Sequence, residues 1–312
     1  MFNFAGKILS LTAVALLTTT AIGSAQSLDE LIAAAKEEGQ LTTIALPHDW
    51  CGYGAVIDGF KAKYPEITVN ELNPDAGSGD EVEAIKANKD NKGPQAPDVI
   101  DVGLSFGPSA KADGLLLPYK VSTWDSIPDS AKDAEGYWYG DYYGVLAMMV
   151  NKDLVKETPA DWADLLKPEY AEHLVLTNIT NGYGMIGLLM LNQIAGGTLD
   201  NIQPGLDTVS KLLDAGAVVV NTSPEIQAEF VQNDAWIAPY ASDYAYTLRK
   251  AGLHVKFVQG EEGTPASFIT ANLVAGRNNV ELATKFINKE LSPEAQACFS
   301  EELRYTPTNS KT

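Results

Sequence analysis

Residues Tyr137-Trp-Tyr-Gly-Asp-Tyr-Tyr-Gly-Val-Leu-Ala-Met-Met-Val-Asn-Lys-Asp153 lie near the middle of a 312-residue chain. Dense tyrosine and tryptophan followed by an unbroken apolar run suit a strand buried on both faces, because aromatic and branched side chains fill a pleated surface. The pattern predicts one long strand from Trp138 to Val150 that runs straight into a helix start over Asn151 to Leu154. We read it as a strand crossing from one lobe of the molecule to another.

The elements upstream support that reading. Ser27-Leu-Asp-Glu30 has the form of a capping box, and the helix it opens stops at Gly39. A strand from Leu41 to Leu46, a helix from about Gly54 to Tyr64, a strand from Ile67 to Leu72, a helix capped by Asp80 and a strand from Asp98 to Val102 follow. Such alternation predicts a parallel α/β sheet with helices on both faces.

The same order returns downstream. Asp161-Trp162 starts a short helix, Leu174 to Asn178 reads as a strand, and Tyr183 to Ala195 as an apolar helix. A helix from Gln203 to Asp214, strands from Ala217 to Val220 and Ala235 to Pro239, and a helix from Pro224 to Gln232 complete a second α/β unit. Val255 to Val258 then leads into a second long extended stretch, Ala266 to Val274, and helices from Val280 to Lys289 and Pro293 to Ser300 follow. Two extended crossings bracketing a compact unit indicate a lobe inserted into another lobe. The expected division is lobe 1 over 26–144 plus 263–312 and lobe 2 over 145–262, with a ligand crevice outside the carboxyl ends of the strands.

Met1 to Ala25 carry Lys7, an apolar run from Ile8 to Leu17, and Gly23-Ser24-Ala25. This is the pattern of a secretory leader cleaved near Ala25, with a run too short to span a bilayer. The formal charge is −19, and removal of Lys7 with the leader makes it one unit more negative. A field of that sign repels phosphate backbones and argues against nucleic acid as a partner. Cys51 and Cys298 are the only cysteines, and His48, His173 and His254 the only histidines. No CxxC or HExxH spacing occurs, so neither a metal nor another cofactor is expected.

Two motifs suggest other chemistry. Gly103-Leu-Ser105-Phe-Gly107 after a strand has the form of a hydrolase elbow, with His254 later in the chain, but Pro108 is expected to interrupt the turn into a helix. A secreted serine esterase using Ser105 is therefore a lesser alternative. Gly182-Tyr-Gly184-Met-Ile-Gly187 has the form of a dinucleotide fingerprint, but no acidic residue ends the next strand, as Asp207 falls in a helix. What survives is a helix start whose free N–H groups favour an anionic group.

Strand-end loops bring Asp49, Trp50, Cys51, Ser105 and Phe106 to the crevice from the first lobe, and Asn178, Asn181, Gly182, Tyr183, Tyr240, Ser242, Asp243 and Tyr244 from the second. Aromatic rings beside carboxylates are what a desolvated ammonium group requires. The arginines, Arg249, Arg277 and Arg304, all come late, and Arg249 alone is near the crevice by sequence.

Asn272-Leu-Val-Ala-Gly-Arg-Asn-Asn-Val-Glu-Leu-Ala-Thr-Lys-Phe-Ile-Asn288 with Leu291-Ser-Pro-Glu-Ala-Gln296 resembles the C-terminal block of type II periplasmic solute-binding proteins of ABC importers. The resemblance extends through Trp138 to Val145, Asn151 to Asp153 and Ala235 to Tyr244, in that family's order. It implies two lobes, each a sheet flanked by helices, joined by two crossing strands. It also implies a periplasmic monomer that hands a small solute to permease subunits in the inner membrane and has no catalytic activity. Relatives with a Ser-Asp-Tyr stretch like Ser242-Asp243-Tyr244 resemble binders of polyamines, which makes Asp243 the expected anchor. The solute is expected to be a polyamine or an ω-amino acid such as 4-aminobutyrate, with an aminophosphonate or ferric iron as the alternatives. Tyr142 and Tyr143 weaken the iron reading, since neighbours on a strand point to opposite faces.

Overall fold

The computed structural model describes residues 38–50, 52–89, 91–242, 244–261, 263–277, 279–297 and 306–308. The leader, the helix expected after Ser27, Cys51, Asp243, Cys298 and Arg304 lie outside them.

The strands are β1 (Gln40–Ile44), β2 (Thr68–Leu72), β3 (Val99–Gly103), β4 (Leu116–Leu117), β5 (Tyr139–Asn151), β6 (Val175–Thr177), β7 (Val218–Val220), β8 (Ile237–Ala241), β9 (Val255–Val258), β10 (Ala266–Val274) and β11 (Thr306–Pro307). The helices are α1 (Tyr53–Lys63), α2 (Ser78–Ala87), α3 (Phe106–Ala112), α4 (Pro168–Ala171), α5 (Gly182–Ile194), α6 (Gln203–Asp214), α7 (Ser223–Gln232), α8 (Tyr244–Lys250) and α9 (Val280–Glu290). Residues 293–297 add a further helical turn.

The central strand is β5, and it changes partners partway along. Residues 139–145 pair with β10, then 146–150 pair with β8 and 148–151 with β9. Nearly every side chain on it is buried, as expected of a strand covered on both faces. The expected parallel order holds for β1 with β2 and for β6 with β7. It fails at the centre, where β10 runs antiparallel to both β3 and β5. Here the chain comes back beside β5 along β10 in the opposite direction, without the crossover that a parallel pair needs.

The helix expected at Asn151 is instead a turn. The Asn151 N–H remains in the sheet, bonded to the Trp236 carbonyl at 2.8 Å, and its side chain accepts the Asp153 N–H at 3.0 Å. That local bond competes with a helical turn. Nor does Asp80 cap α2: Gly77 does, and Asp80, at the third helical position, accepts the Gly77 N–H at 3.0 Å. Pro108 does not interrupt α3 either, because it falls in the first turn, where the N–H it lacks has no helical partner.

Two main cores flank the switch in β5. One gathers Leu41, Tyr53, Ile57, Phe60, Tyr139, Leu273 and Phe286. The other gathers Leu146, Met148, Met149, Val150, Trp162, Leu191, Phe230, Ile237 and Tyr240. A smaller cluster around Ile44, Val82, Ile100 and Val102 extends the first side. Each large apolar side chain so buried contributes about 1.5–3 kcal/mol. A buried ion pair also ties the first side together: Arg277 Nε lies 2.8 Å from Asp98 Oδ1. The other Asp98 oxygen accepts Thr42 N–H at 2.7 Å and Asn279 Nδ2 at 3.1 Å.

Candidate functional site

A cleft of about 820 Å³, counted out to its open mouth, lies between the two main cores. The loop after β1, the start of α2, the middle of β3 and the first half of β5 line one side. The starts of α5 and α7, the end of β8 and α8 line the other.

Its wall is aromatic. Trp50 donates its indole N–H to Tyr142 Oη at 3.1 Å, and its ring centroid lies 6.2 Å from that of Tyr240 and 5.6 Å from that of Tyr244. Tyr240 also meets Tyr183 at 5.1 Å and Tyr244 at 5.4 Å. Hydroxyl bonds fix the rings: Tyr240 Oη lies 2.7 Å from Ser223 Oγ, and Tyr244 Oη donates to the Ser223 carbonyl at 2.6 Å. Asn181 caps α5 by accepting the Tyr183 N–H at 2.9 Å and donates to Tyr240 Oη at 3.4 Å. Trp50, from one side, thus packs against tyrosines of the other.

Beneath the wall are two carboxyl groups, Glu81 and Asp101. Glu81 is 1% exposed, and its Oε2 accepts the Asp101 N–H at 3.0 Å. Asp101 Oδ2 accepts the Tyr53 hydroxyl, while Asp101 Oδ1 is sealed from solvent with no hydrogen-bond partner. Burial, then the charge of Asp101, holds the Glu81 carboxyl well above its ordinary range. Burial likewise pushes Asp101 up to about 7, against the lowering effect of the Tyr53 bond. Near the mouth, Asp49 and Asp75 are exposed, and their charges add to burial and Tyr240 in raising the Tyr244 phenol.

The cleft brings together Asp49, Trp50, Asn181, Gly182, Tyr183, Tyr240 and Tyr244 from the residues expected in it. It does not bring in Ser105, Phe106, Arg249, Asn178 or Ser242. Ser105 is exposed and lines a separate groove with Met185 and Leu199, and Phe106 packs on the Ile100 cluster. Arg249 is exposed, and its Nε donates to the Val255 carbonyl, where it ties the end of α8 to β9. Asn178 donates to Asn221 Oδ1 at 3.0 Å. His254 pairs with Asp153 at 3.1 Å and does not line the groove that Ser105 lines. Of the tyrosine pair, Tyr142 lines the cleft and Tyr143 does not.

The two glycine motifs have a common explanation. A Cβ on Gly103 would stand 3.1 Å from the Gly182 Cα, so these glycines let the two sides meet. Nearby, the Gly79 N–H donates to the Thr180 carbonyl at 2.8 Å across the same junction. A Cβ on Gly184 would lie 2.1 Å from the Asn178 carbonyl oxygen, so that glycine seats α5 on the chain end of β6.

Sequence reasoning missed Glu81, Asp101, Asp75, Ser78 and Ser223. The signal for the two floor acids was present. Glu81 shares a helical stripe with Ser78 and Ile85, and Asp101 stands in the apolar strand Val99-Ile-Asp-Val-Gly103. A carboxylate within a core stripe is costly unless it serves a charge.

The sequence profile described as bacterial extracellular solute-binding protein matches residues 95–312. The spermidine/putrescine-binding periplasmic protein of Salmonella typhimurium is 27% identical over 170 residues, 54% of this chain and 48% of that protein. The chain thus matches about half the length of that curated relative. A putative 2-aminoethylphosphonate-binding periplasmic protein of the same organism is 26% identical over 302 residues, covering 94% of this chain and 83% of the other. Among solved structures, the periplasmic binding protein P5PA superposes with a TM-score of 0.75 at 22% identity, covering 88% of this chain and 87% of its own. That likeness shows the two-lobed type II fold of periplasmic binding proteins. The chain belongs to the bacterial extracellular solute-binding protein family.

Proposed function

We propose that this chain is the extracytoplasmic solute-binding component of an ABC importer, that it captures a small amine-bearing solute between two lobes, and that it delivers the solute to a membrane permease without chemistry of its own. The observation that carries the amine reading is the pair of floor carboxyls, Glu81 and Asp101, under the Trp50, Tyr142, Tyr240 and Tyr244 rings. Burial leads in raising both groups, joined at Glu81 by the charge of Asp101, and an entering ammonium is the counter-charge that ionises them. Asp49 and Asp75 supply a second acidic pole near the mouth. Asp243, outside the described residues, stands between Tyr240 and Tyr244 in the sequence, and we retain it as a candidate at that mouth.

The partner switch in β5 supports lobe 1 over 26–144 plus 263–312 and lobe 2 over 145–262, bending near 143–147 and 260–264. Both relatives named above are periplasmic, and among the described residues no helix is long and apolar enough to cross a membrane. The relatives support a periplasmic location after the leader is cleaved near Ala25, and we propose that the protein acts there as a monomer.

A zwitterion such as 2-aminoethylphosphonate is the second reading. It is favoured by the starts of α2, α5 and α7, at Ser78, Gly182 and Ser223, which all line the cleft and suit an anionic group. Calorimetric titration with putrescine, 4-aminobutyrate and 2-aminoethylphosphonate tests both. Saturable binding of at least one supports the proposal, and heat from none of them would end the amine reading.

A further inference from the structure

A second cavity, with an inner volume of about 180 Å³, adjoins the cleft at Tyr183, the one described residue that both walls share. Residues of α5, α6, β6 and β7 line it, together with the helical turn Trp162–Leu166 and Pro239 of β8.

Its chemistry is the reverse of the cleft's. Trp162, Leu165 and Leu191, which form its depth, are at most 4% exposed. Ile179, Leu206 and Val219, which also line it, are between 42% and 48% exposed and mark its mouth. Single apolar side chains are ordinary on a protein surface, but three around one opening make a patch. Among the described residues no charged side chain lines the cavity, although the chain carries a net charge of −19. The polar groups of the wall are turned into the protein. Trp162 donates its indole N–H to the Gly263 carbonyl at 3.0 Å, Asn178 bonds Asn221 Oδ1 and the Thr180 N–H, and Thr177 Oγ1 is sealed from solvent without a partner. A buried water is held by about two to four polar partners, so this wall holds water poorly.

The helix face on the cavity is hollowed. Gly184, Gly187, Leu188 and Leu191 recur at helical spacing on α5 and all line the space. Close approach of the backbone explains Gly182, which meets Gly103, and Gly184, whose Cβ would strike the Asn178 carbonyl. It does not explain Gly187, where a Cβ would meet nothing within 4 Å. Glycine inside a helix is destabilising relative to alanine. Here it leaves open a volume that a larger side chain would fill.

We propose that this cavity is a second binding site, for a small uncharged apolar molecule of the size of benzene or indole. An apolar cavity of about 150 Å³ stays dry and takes up benzene, which sets the scale. The wall selects against the amine that suits the cleft, because a desolvated ammonium here would find no counter-charge. The site stands independently of the amine reading, and its test uses no amine.

The test is titration calorimetry of the whole mature protein with indole at two temperatures. Saturable binding with a negative heat-capacity change is expected, the mark of buried apolar surface. Gly187→Leu should abolish that binding, because its side chain occupies the space the ligand needs. Trp50→Ala alters the cleft and should leave indole binding unchanged. No saturable heat at either temperature, or binding that persists in Gly187→Leu, would overturn the site. Loss of binding in Trp50→Ala would place indole among the cleft rings and overturn it as well. Should Gly187→Leu not fold, Leu206→Glu sets a charge at the exposed mouth; it should abolish indole binding, and unchanged binding would count against the proposal. A protein that sediments as a dimer at the titration concentration and gives no heat with indole would mean that a second copy covers the cavity, which would also overturn it.

Discussion

Asp101→Asn separates the role of the floor from that of the fold. The substitution keeps the shape of the side chain and leaves an oxygen to accept the Tyr53 hydroxyl, but it removes the only charge that Oδ1 and Oδ2 can carry. A buried cation that loses its paired carboxylate costs about 2–5 kcal/mol, which is roughly 30-fold to several thousandfold in affinity. Glu81 remains, so the lower half of that range is the expectation. The stability effect has the opposite sign. The folded protein holds the Asp101 carboxyl at about 7, against about 3.9 in an unfolded chain, so its contribution is greatest below about pH 4 and is lost as pH rises through about 7. That loss amounts to up to about 4 kcal/mol. At pH 7.5 the ligand-free Asp101→Asn protein should therefore be as stable as the wild type or more so, while binding an amine far less tightly. Titration calorimetry and urea unfolding at pH 5 and 7.5 measure the two quantities. Near-wild-type affinity for the amine, or a large loss of stability at pH 7.5, would refute the reasoning.

Arg277→Ala leaves Asp98 buried without its ion-pair partner and should destabilise the protein by about 3–5 kcal/mol, read from urea unfolding, with the folded fraction still binding solute. Gly103→Ala places a Cβ 3.1 Å from the Gly182 Cα at the junction of the two sides. It should hold the lobes apart, weaken binding at least several-fold, and leave a larger radius of gyration in solution scattering at saturating solute; an unchanged profile would show that the junction does not govern closure. Trp50→Ala removes the ring that meets both Tyr240 and Tyr244, and a loss of about 2 kcal/mol in binding is expected by calorimetry.

The element order was legible because each element carries its own period and punctuation. The bounds read for the helix from Gln203 to Asp214 and for the strand from Ala266 to Val274 match the structure, with Gly216 and Gly276 marking their ends. The aromatic half of the cleft was legible as well, since Trp50 lies in the loop after β1, Tyr240 near the end of β8 and Tyr244 at the start of α8. The sheet order at the centre was not, because local pattern cannot tell a returning strand from a parallel one, and only the pairing of β10 with β3 and β5 decides it. The acidic floor was overlooked for a different reason. Glu81 reads as an ordinary charge in the first turn of a helix, and its burial becomes visible only when the helical stripe through Ile85 is set against β3. Arg249 was expected at the cleft by closeness in sequence, yet one turn of α8 carries it round to the β9 side.

The claim at the centre of this account is that a cationic amine is what the cleft holds, and a matched pair of probes tests it most directly. Thermal unfolding of the mature protein should be followed at pH 7.5 over rising putrescine and, in parallel, over rising 1,4-butanediol, which has the same chain length but no charge. The account predicts a melting temperature that climbs with putrescine by mass action and stays level with the diol. Equal response to the two, or none to putrescine at saturating concentration, would contradict it.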